Sequence, residues 1–207
     1  DSYVMWISDI GHLRAGICDG TTTCDFVDSG FTVQVNTWYH VAMTFDDATN
    51  SLRVFVNGAQ VSEITTNKSL VYDSHPLVIG ADIEFETTQF FNDGQVDEVT
   101  IYDRALTLSE IQSIFNVGAG GKCHISATPP PIGLVSWWPG DGNSLDVRSR
   151  NTGTLQGGMG YATGKTGQAF SFDGVDDGVD LGTQFTYQDF TLSMWVKPGA
   201  TQVQYAD

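Results

Sequence analysis

"WYHVAMTFDDATNSLRVFVNG", residues 38–58, decides the fold class. Tyr39, Val41, Met43 and Phe45 alternate with His40, Ala42 and Thr44, the period of two expected of a half-buried strand. Leu52, Val54 and Val56 repeat the pattern, and "DDATN" between the runs is hairpin-turn chemistry. The stretch reads as a β-hairpin. Working outward, further strands are expected at 3–8, 13–17, 31–35, 76–80, 95–102, 134–138, 168–173 and 189–197, separated by Gly, Asn, Asp and Thr clusters. Many short antiparallel strands imply an all-β sandwich or jelly roll. One helix is expected in "TLSEIQSIFNVG": Thr107 caps it, Glu110 completes a capping box, and Gly118 stops it. Leu108, Ile111 and Phe115 fall on one face, as in a helix that plugs the edge or end of a sandwich.

The 207 residues carry 25 acidic against 9 basic side chains, a net charge of −16, which excludes nucleic acid or anionic lipid bound through a basic patch. No run approaches the roughly 18 apolar residues of a membrane span. With 23 glycines, 12% aromatics and only 16% charged residues, the composition is that of an extracellular β protein. The opening "DSYVMWISDIGHL" has no basic leader region, so a mature or excised chain is expected. Cys18 and Cys24 bracket "CDGTTTC", where Asp19 and Gly20 favour a tight turn. They read either as a local disulfide, which implies an oxidising compartment, or as two reduced thiols on a loop. Cys123 is left over, a free thiol or an intermolecular bridge to a neighbouring unit.

Catalytic signatures are weak. A glycosidase sets two carboxylates roughly 5 to 9 Å apart across a cleft. Asp97 and Glu98 are adjacent on a strand and expected on opposite faces, and Glu84 and Glu86 show no such pattern. His12, His40, His75 and His124 lack metal spacing, and His40 reads as a structural hydrogen-bonder. Asp173, Asp176, Asp177 and Asp180 in "FDGVDDGVD" are explained by Asp-Gly turns more simply than by a metal. Of Trp6, Trp38, Trp137, Trp138 and Trp195, each is expected in core packing, with Trp137 and Trp138 on opposite faces of their strand and Trp195 opposite Phe190, Leu192, Met194 and Val196.

Several segments together resemble one family: "WYHVAMTFD" with "LRVFVNG", "GQVDEVTIYDRALTLSEIQSIF", "GLVSWWPGDGNSLD", "AFSFDGVDDGVDLG" and "FTLSMWVKP". They are similar to the laminin-G-like, concanavalin A-like jelly roll of extracellular bacterial proteins. Their order is permuted relative to that family. Residues 1–117 resemble the C-terminal part of such a domain and 132–207 the N-terminal part, with a proline-bearing linker at 118–131. The two parts are expected to pair, within one chain or with those of a neighbouring unit. By resemblance, a structural calcium would draw on Asp97, Asp141 and Asp146, with Asn151 through an oxygen, although "DVRSRN" sets Arg148 and Arg150 where the family's loop is less basic. The resemblance implies a secreted or cell-surface, non-catalytic binding or adhesion module for a glycan or an extracellular protein, one unit of a tandem array. The competing expectation is a structural subunit that assembles by swapped or head-to-tail contacts into a filament or surface layer. The ligand-binding residues are not placed by the sequence.

Overall fold

The fold is taken from a computed structural model, which describes residues 2–20, 23–84, 87–118 and 130–199. In chain order the strands are β1 (Tyr3–Ile7), β2 (His12–Cys18), β3 (Cys24–Thr32), β4 (Tyr39–Asp46), β5 (Ser51–Val56), β6 (Ala59–Thr65), β7 (Val78–Ile79), β8 (Asp82–Glu84), β9 (Thr87–Gln89) and β10 (Asp93–Tyr102). Helix α1 (Leu108–Val117) follows, then β11 (Leu134–Trp138), β12 (Thr154–Gln156), β13 (Gly160–Thr163), β14 (Gln168–Asp173), β15 (Gly178–Asp180) and β16 (Phe190–Pro198). Among the described residues all strand pairings are antiparallel, and the fold is an all-β sandwich with one short helix.

One layer is a large sheet in the order β13-β14-β10-β16-β4-β5-β6. β10 is its centre. One edge of β10 pairs with β14 through Asp93–Val96 and then with β11 through Val99–Tyr102, while its other edge pairs with β16. β16 in turn pairs with β4 from Phe190↔Phe45 to Val196↔Tyr39. Strands from both segments of the chain therefore share one sheet. The expected hairpin is β4–β5, turned at Asn50, whose φ of 51° is the left-handed conformation that asparagine tolerates.

The second layer consists of two smaller sheets, β1-β2-β3 and β12-β15-β7. Between the layers lies the main core: Leu13, Ala15, Ile17 and Val27 from one small sheet and Ile79 and Val179 from the other meet Val41, Met43, Val54, Val96, Phe170 and Leu192 of the large sheet. A disulfide joins Cys18 to Cys24, which face each other across β2 and β3.

Three local expectations are corrected. The strand expected at 31–35 runs earlier, at Cys24–Thr32, because its pairing with β2 begins beside the disulfide. β4 is buried on both faces, not one, because α1 and its neighbours form a second apolar cluster over the back of the large sheet with Ala42, Phe55, Tyr102 and Leu106. Third, the helix face turns: Ile111 and Ile114 are buried, whereas Leu108 is 44% exposed. Phe115 lies against the Gly58 turn, where a Cβ would come within 3.0 Å of its ring. The capping box forms as expected between Thr107 and Glu110. Arg104 also grips Glu110, with Nη1 to Oε2 at 3.0 Å, and this ion pair holds the Glu110 carboxyl down at about 2.

Ile111→Ala is expected to cost about 2–4 kcal/mol in urea unfolding, the usual range for emptying a fully buried aliphatic site. Leu108→Ala should stay within about 0.5 kcal/mol. Equal losses at the two positions would contradict this placement of the helix.

Candidate functional site

Alternation along β1–β3 puts two sets of side chains on opposite sides. Tyr3, Met5 and Ile7 of β1, Leu13, Ala15 and Ile17 of β2 and Val27 of β3 face the core. The register then aligns two outward rows across the sheet: Val4–Gly16–Phe26 and Trp6–Arg14–Asp28. Phe26 is 56% exposed and meets Trp6 edge to face, with ring centroids 5.4 Å apart. Its ring lies directly on Gly16, where a Cβ would come within 2.3 Å of the ring carbon Cδ1. Only glycine leaves the ring room to lie flat there.

Beside the rings stands a charged cluster. The Asp28 carboxylate accepts from Arg14 Nε at 3.0 Å and from the Gly30 N–H at 2.8 Å, and contacts His12 Nδ1 at 3.0 Å. Burial alone would raise the Asp28 carboxyl, but the bonds from Gly30, Arg14 and His12 outweigh it and hold it below the ordinary carboxylate range. An apolar platform edged by ionised donors and acceptors is the chemistry that stacks a sugar ring and bonds its hydroxyls.

The residues expected around calcium divide between two loops. Asp97, fully buried, accepts the Thr166 N–H at 3.0 Å on Oδ2, and among the described residues Oδ1 has no partner. Asp141, exposed, accepts the Gln168 N–H at 2.8 Å, so both carboxylates hold the loop 164–168. Asp146 is committed elsewhere: Oδ1 takes the N–H groups of Trp137 and Arg148, both at 2.9 Å, and Oδ2 those of Arg150 at 3.2 Å and Asn151 at 3.1 Å. It is the backbone of Arg148 and Arg150 that serves this carboxylate. Asn151 accepts from Gln184 and donates to Ser136. Among the described residues, the group of three acidic side chains close enough to share an ion is Asp173, Asp176 and Asp177. Asp177 there accepts from the Asp173 N–H and Asp173 from the Val175 N–H, bonds that make turns, and Asp177 also takes the Gly158 N–H of a distant loop. Cys123 and His124 lie outside the described residues.

A laminin-G model of the concanavalin A-like lectin/glucanases superfamily matches residues 1–112, more than half of the chain. The chain belongs to this superfamily. The matched span contains β1–β10, including the outward rows just described. Among curated proteins, the chain is similar to adhesion G-protein coupled receptor D1 of Homo sapiens, 32% identical over 102 residues, and of Bos taurus, 28% identical over 109 residues. These matches cover 48% and 52% of this chain but only 11% and 12% of the receptors. No solved structure matches.

Phe26 and Asp28 went unread in the sequence because the third strand was expected further on, at 31–35. The readable signal was the alternation of 3–7 and 12–18, which already set Trp6 and Arg14 opposite the core residues. Trp6 accordingly leaves the core for the half-buried outer face. Trp138 is fully buried against Phe185, and Trp137, opposite it, donates its indole N–H to Glu98 Oε2 at 2.8 Å. Trp195 lies on the back of the sheet beside His40 and Phe115, with the Lys165 ammonium 4.3 Å from its ring centroid. His40 is buried and bonded to Ser193 Oγ at 3.0 Å, as expected of a structural histidine.

One backbone irregularity corrects the reading of Asp97 and Glu98. Glu98 has φ +56°, and the pairing with β16 shifts between Asp97 and Thr100. This bulge leaves both acids between inward-facing Val96 and Val99, so the two share the outer side of the sheet. Burial, reinforced by the Glu98 charge, pushes the Asp97 carboxyl up to about 7 against the opposing bonds from the Thr166 and Lys165 backbone. The folded protein thus holds a proton that the unfolded chain, titrating at 3.8, has already lost. Stability should fall as pH rises from about 4 to about 7 and level off above, by about 2–4 kcal/mol. Asp97→Asn removes that slope. Parallel slopes in the two proteins, measured by urea unfolding across this range, would contradict the assignment.

Proposed function

We propose that this chain is a non-catalytic extracellular binding module of the adhesion type, and that a carbohydrate seats on the outer face of β1–β3. The observation that carries the reading is the exposed Phe26 ring set edge to face on the half-buried Trp6, beside the Arg14–Asp28–His12 cluster. Large aromatics left on a surface next to ordered charged groups are a recognition device, since packing alone would bury them. The disulfide supports an oxidising, extracellular setting. Both relatives are adhesion receptors, which supports adhesion as the role of a shared segment. Supporting a non-catalytic role, Glu98 is engaged by the Trp137 indole, and Asp97 is buried beneath the 164–168 loop.

The test is a glycan array followed by calorimetry with the best-bound sugar. Trp6→Ala and Phe26→Ala are each expected to weaken binding about tenfold or more, a loss of about 1.4 kcal/mol. Phe26→Ala should leave the melting temperature nearly unchanged, because the side chain is 56% exposed. Sugar binding that survives both substitutions would move the site elsewhere.

Calcium is a separate proposal within this reading. The buried Oδ1 of Asp97, which has no hydrogen-bond partner among the described residues, and the exposed carboxylate of Asp141 are the oxygens that would hold the ion, which would supply positive charge beneath the 164–168 loop. Calcium is expected to raise the melting temperature of the wild type and not that of Asp97→Asn. A wild-type melting temperature indifferent to calcium and to EDTA would remove the ion from the account.

A further inference from the structure

The second layer of the sandwich is split. β1 is the outermost strand of one small sheet and β7 that of the other, and the two edges line a cavity of about 160 Å³. Its floor is the large sheet, through Val41, Val96, Val99, Leu192 and Met194. The remaining wall comes from residues 80–83 and 90–92.

The hydrogen-bond phase of β1 shows what faces this slot. The Cys18 N–H donates to the Ser2 carbonyl at 2.9 Å and the Ser8 N–H to the His12 carbonyl at 2.8 Å. With Val4 opposite Gly16 and Trp6 opposite Arg14, the even-numbered residues therefore turn their backbone groups toward β2. Tyr3, Met5 and Ile7 turn theirs the other way, toward the slot. On the far side, the Leu181 N–H donates to the Leu77 carbonyl at 2.9 Å, which commits residues 77 and 79 to β15 and leaves the Val78 backbone groups facing away from it. Exposed edges are ordinarily blunted by lysine, proline or a bulge. β1, "YVMWI", carries none of these.

We propose that the slot binds an extended peptide segment of a partner protein, which enters as an added strand on β1 with alternate apolar side chains in the cavity and basic residues flanking it. An acyl chain would match the floor but leave the edge groups of Tyr3, Met5 and Ile7 unsatisfied; an extended backbone satisfies them. Alternate residues of such a strand point to one face, as the one-sided cavity requires. Charge selects the flanks. The charged residues in the lining, Asp82 and Lys197, offset each other, and the surrounding protein at −16 attracts basic residues. Trp6 borders both this slot and the outer platform, but strand addition uses the β1 backbone and the cavity and does not rest on sugar binding at the platform.

The probe is a short, lysine-flanked peptide of alternating valine and threonine, added to the intact chain and followed by fluorescence anisotropy and by amide hydrogen exchange. Saturable binding is expected, with exchange at the Tyr3, Met5 and Ile7 amides slowed about tenfold or more. A peptide with a central proline should bind much more weakly, because it cannot complete the ladder. Met5→Lys, which places a charge at the slot, should abolish binding, and Phe26→Ala should not affect it. Equal binding of the proline peptide, or unchanged exchange at the three amides at saturation, would overturn strand addition. Amides already protected without peptide would also overturn the proposal: loss of that protection on deleting 200–207 would assign the slot to the chain's own tail, and loss on dilution would assign it to a second copy.

Discussion

Everything in this fold depends on where β10 sits. It is the last strand before the helix, yet its neighbours β14, β11 and β16 all come from the later part of the chain. A strand flanked on both edges and buried on both faces cannot be satisfied locally, because its backbone groups need partners that lie far along the sequence. The polar residues of β10 follow from this position. Thr100 is buried and donates from its hydroxyl to the Ser193 carbonyl at 3.2 Å, and the bulge at Glu98 carries Asp97 beneath the 164–168 loop and Glu98 toward the Trp137 indole. The strand that closes the sheet thus also holds the 164–168 loop through Asp97 and the Trp137 side chain through Glu98.

How much of this was legible in the sequence follows from which interactions are local. The β4–β5 hairpin, the Thr107–Glu110 capping box and the Cys18–Cys24 turn involve residues close in sequence, and each forms in the structure. The opposite orientations of Trp137 and Trp138 follow from strand alternation alone, which holds where a strand is regular. Alternation misled at Glu98 because a bulge inserts one residue, and a bulge leaves no clear trace in a string such as "VDEV". The both-sided burial of β4 was unreadable for another reason: Ala42 looks like part of a solvent face until the helix is docked over it.

The candidate site was half legible. Trp6 and Arg14 lie on strands whose period is plain, but Phe26 and Asp28 belong to "CDFVDSGFT", where Val27 alone is in the buried core. That strand is defined by pairing with β2, beginning beside the disulfide, so its outward residues are known only once the register is known. The calcium set drawn from resemblance has the opposite history. Its residues are legible one by one, but the structure shows Asp146 organising the 146–151 turn through four backbone bonds while Asp97 and Asp141 hold a different loop.

The central claim is that residues 1–117 and 132–207 build one sheet that neither can build alone, with β10 enclosed by strands of the other part. The most direct measurement is circular dichroism of the two segments, produced separately and then mixed in equal amounts, with urea unfolding of each sample. The account predicts no cooperative transition in either segment alone and a single cooperative transition after mixing. A cooperative transition in either isolated segment, or none in the mixture, would contradict it.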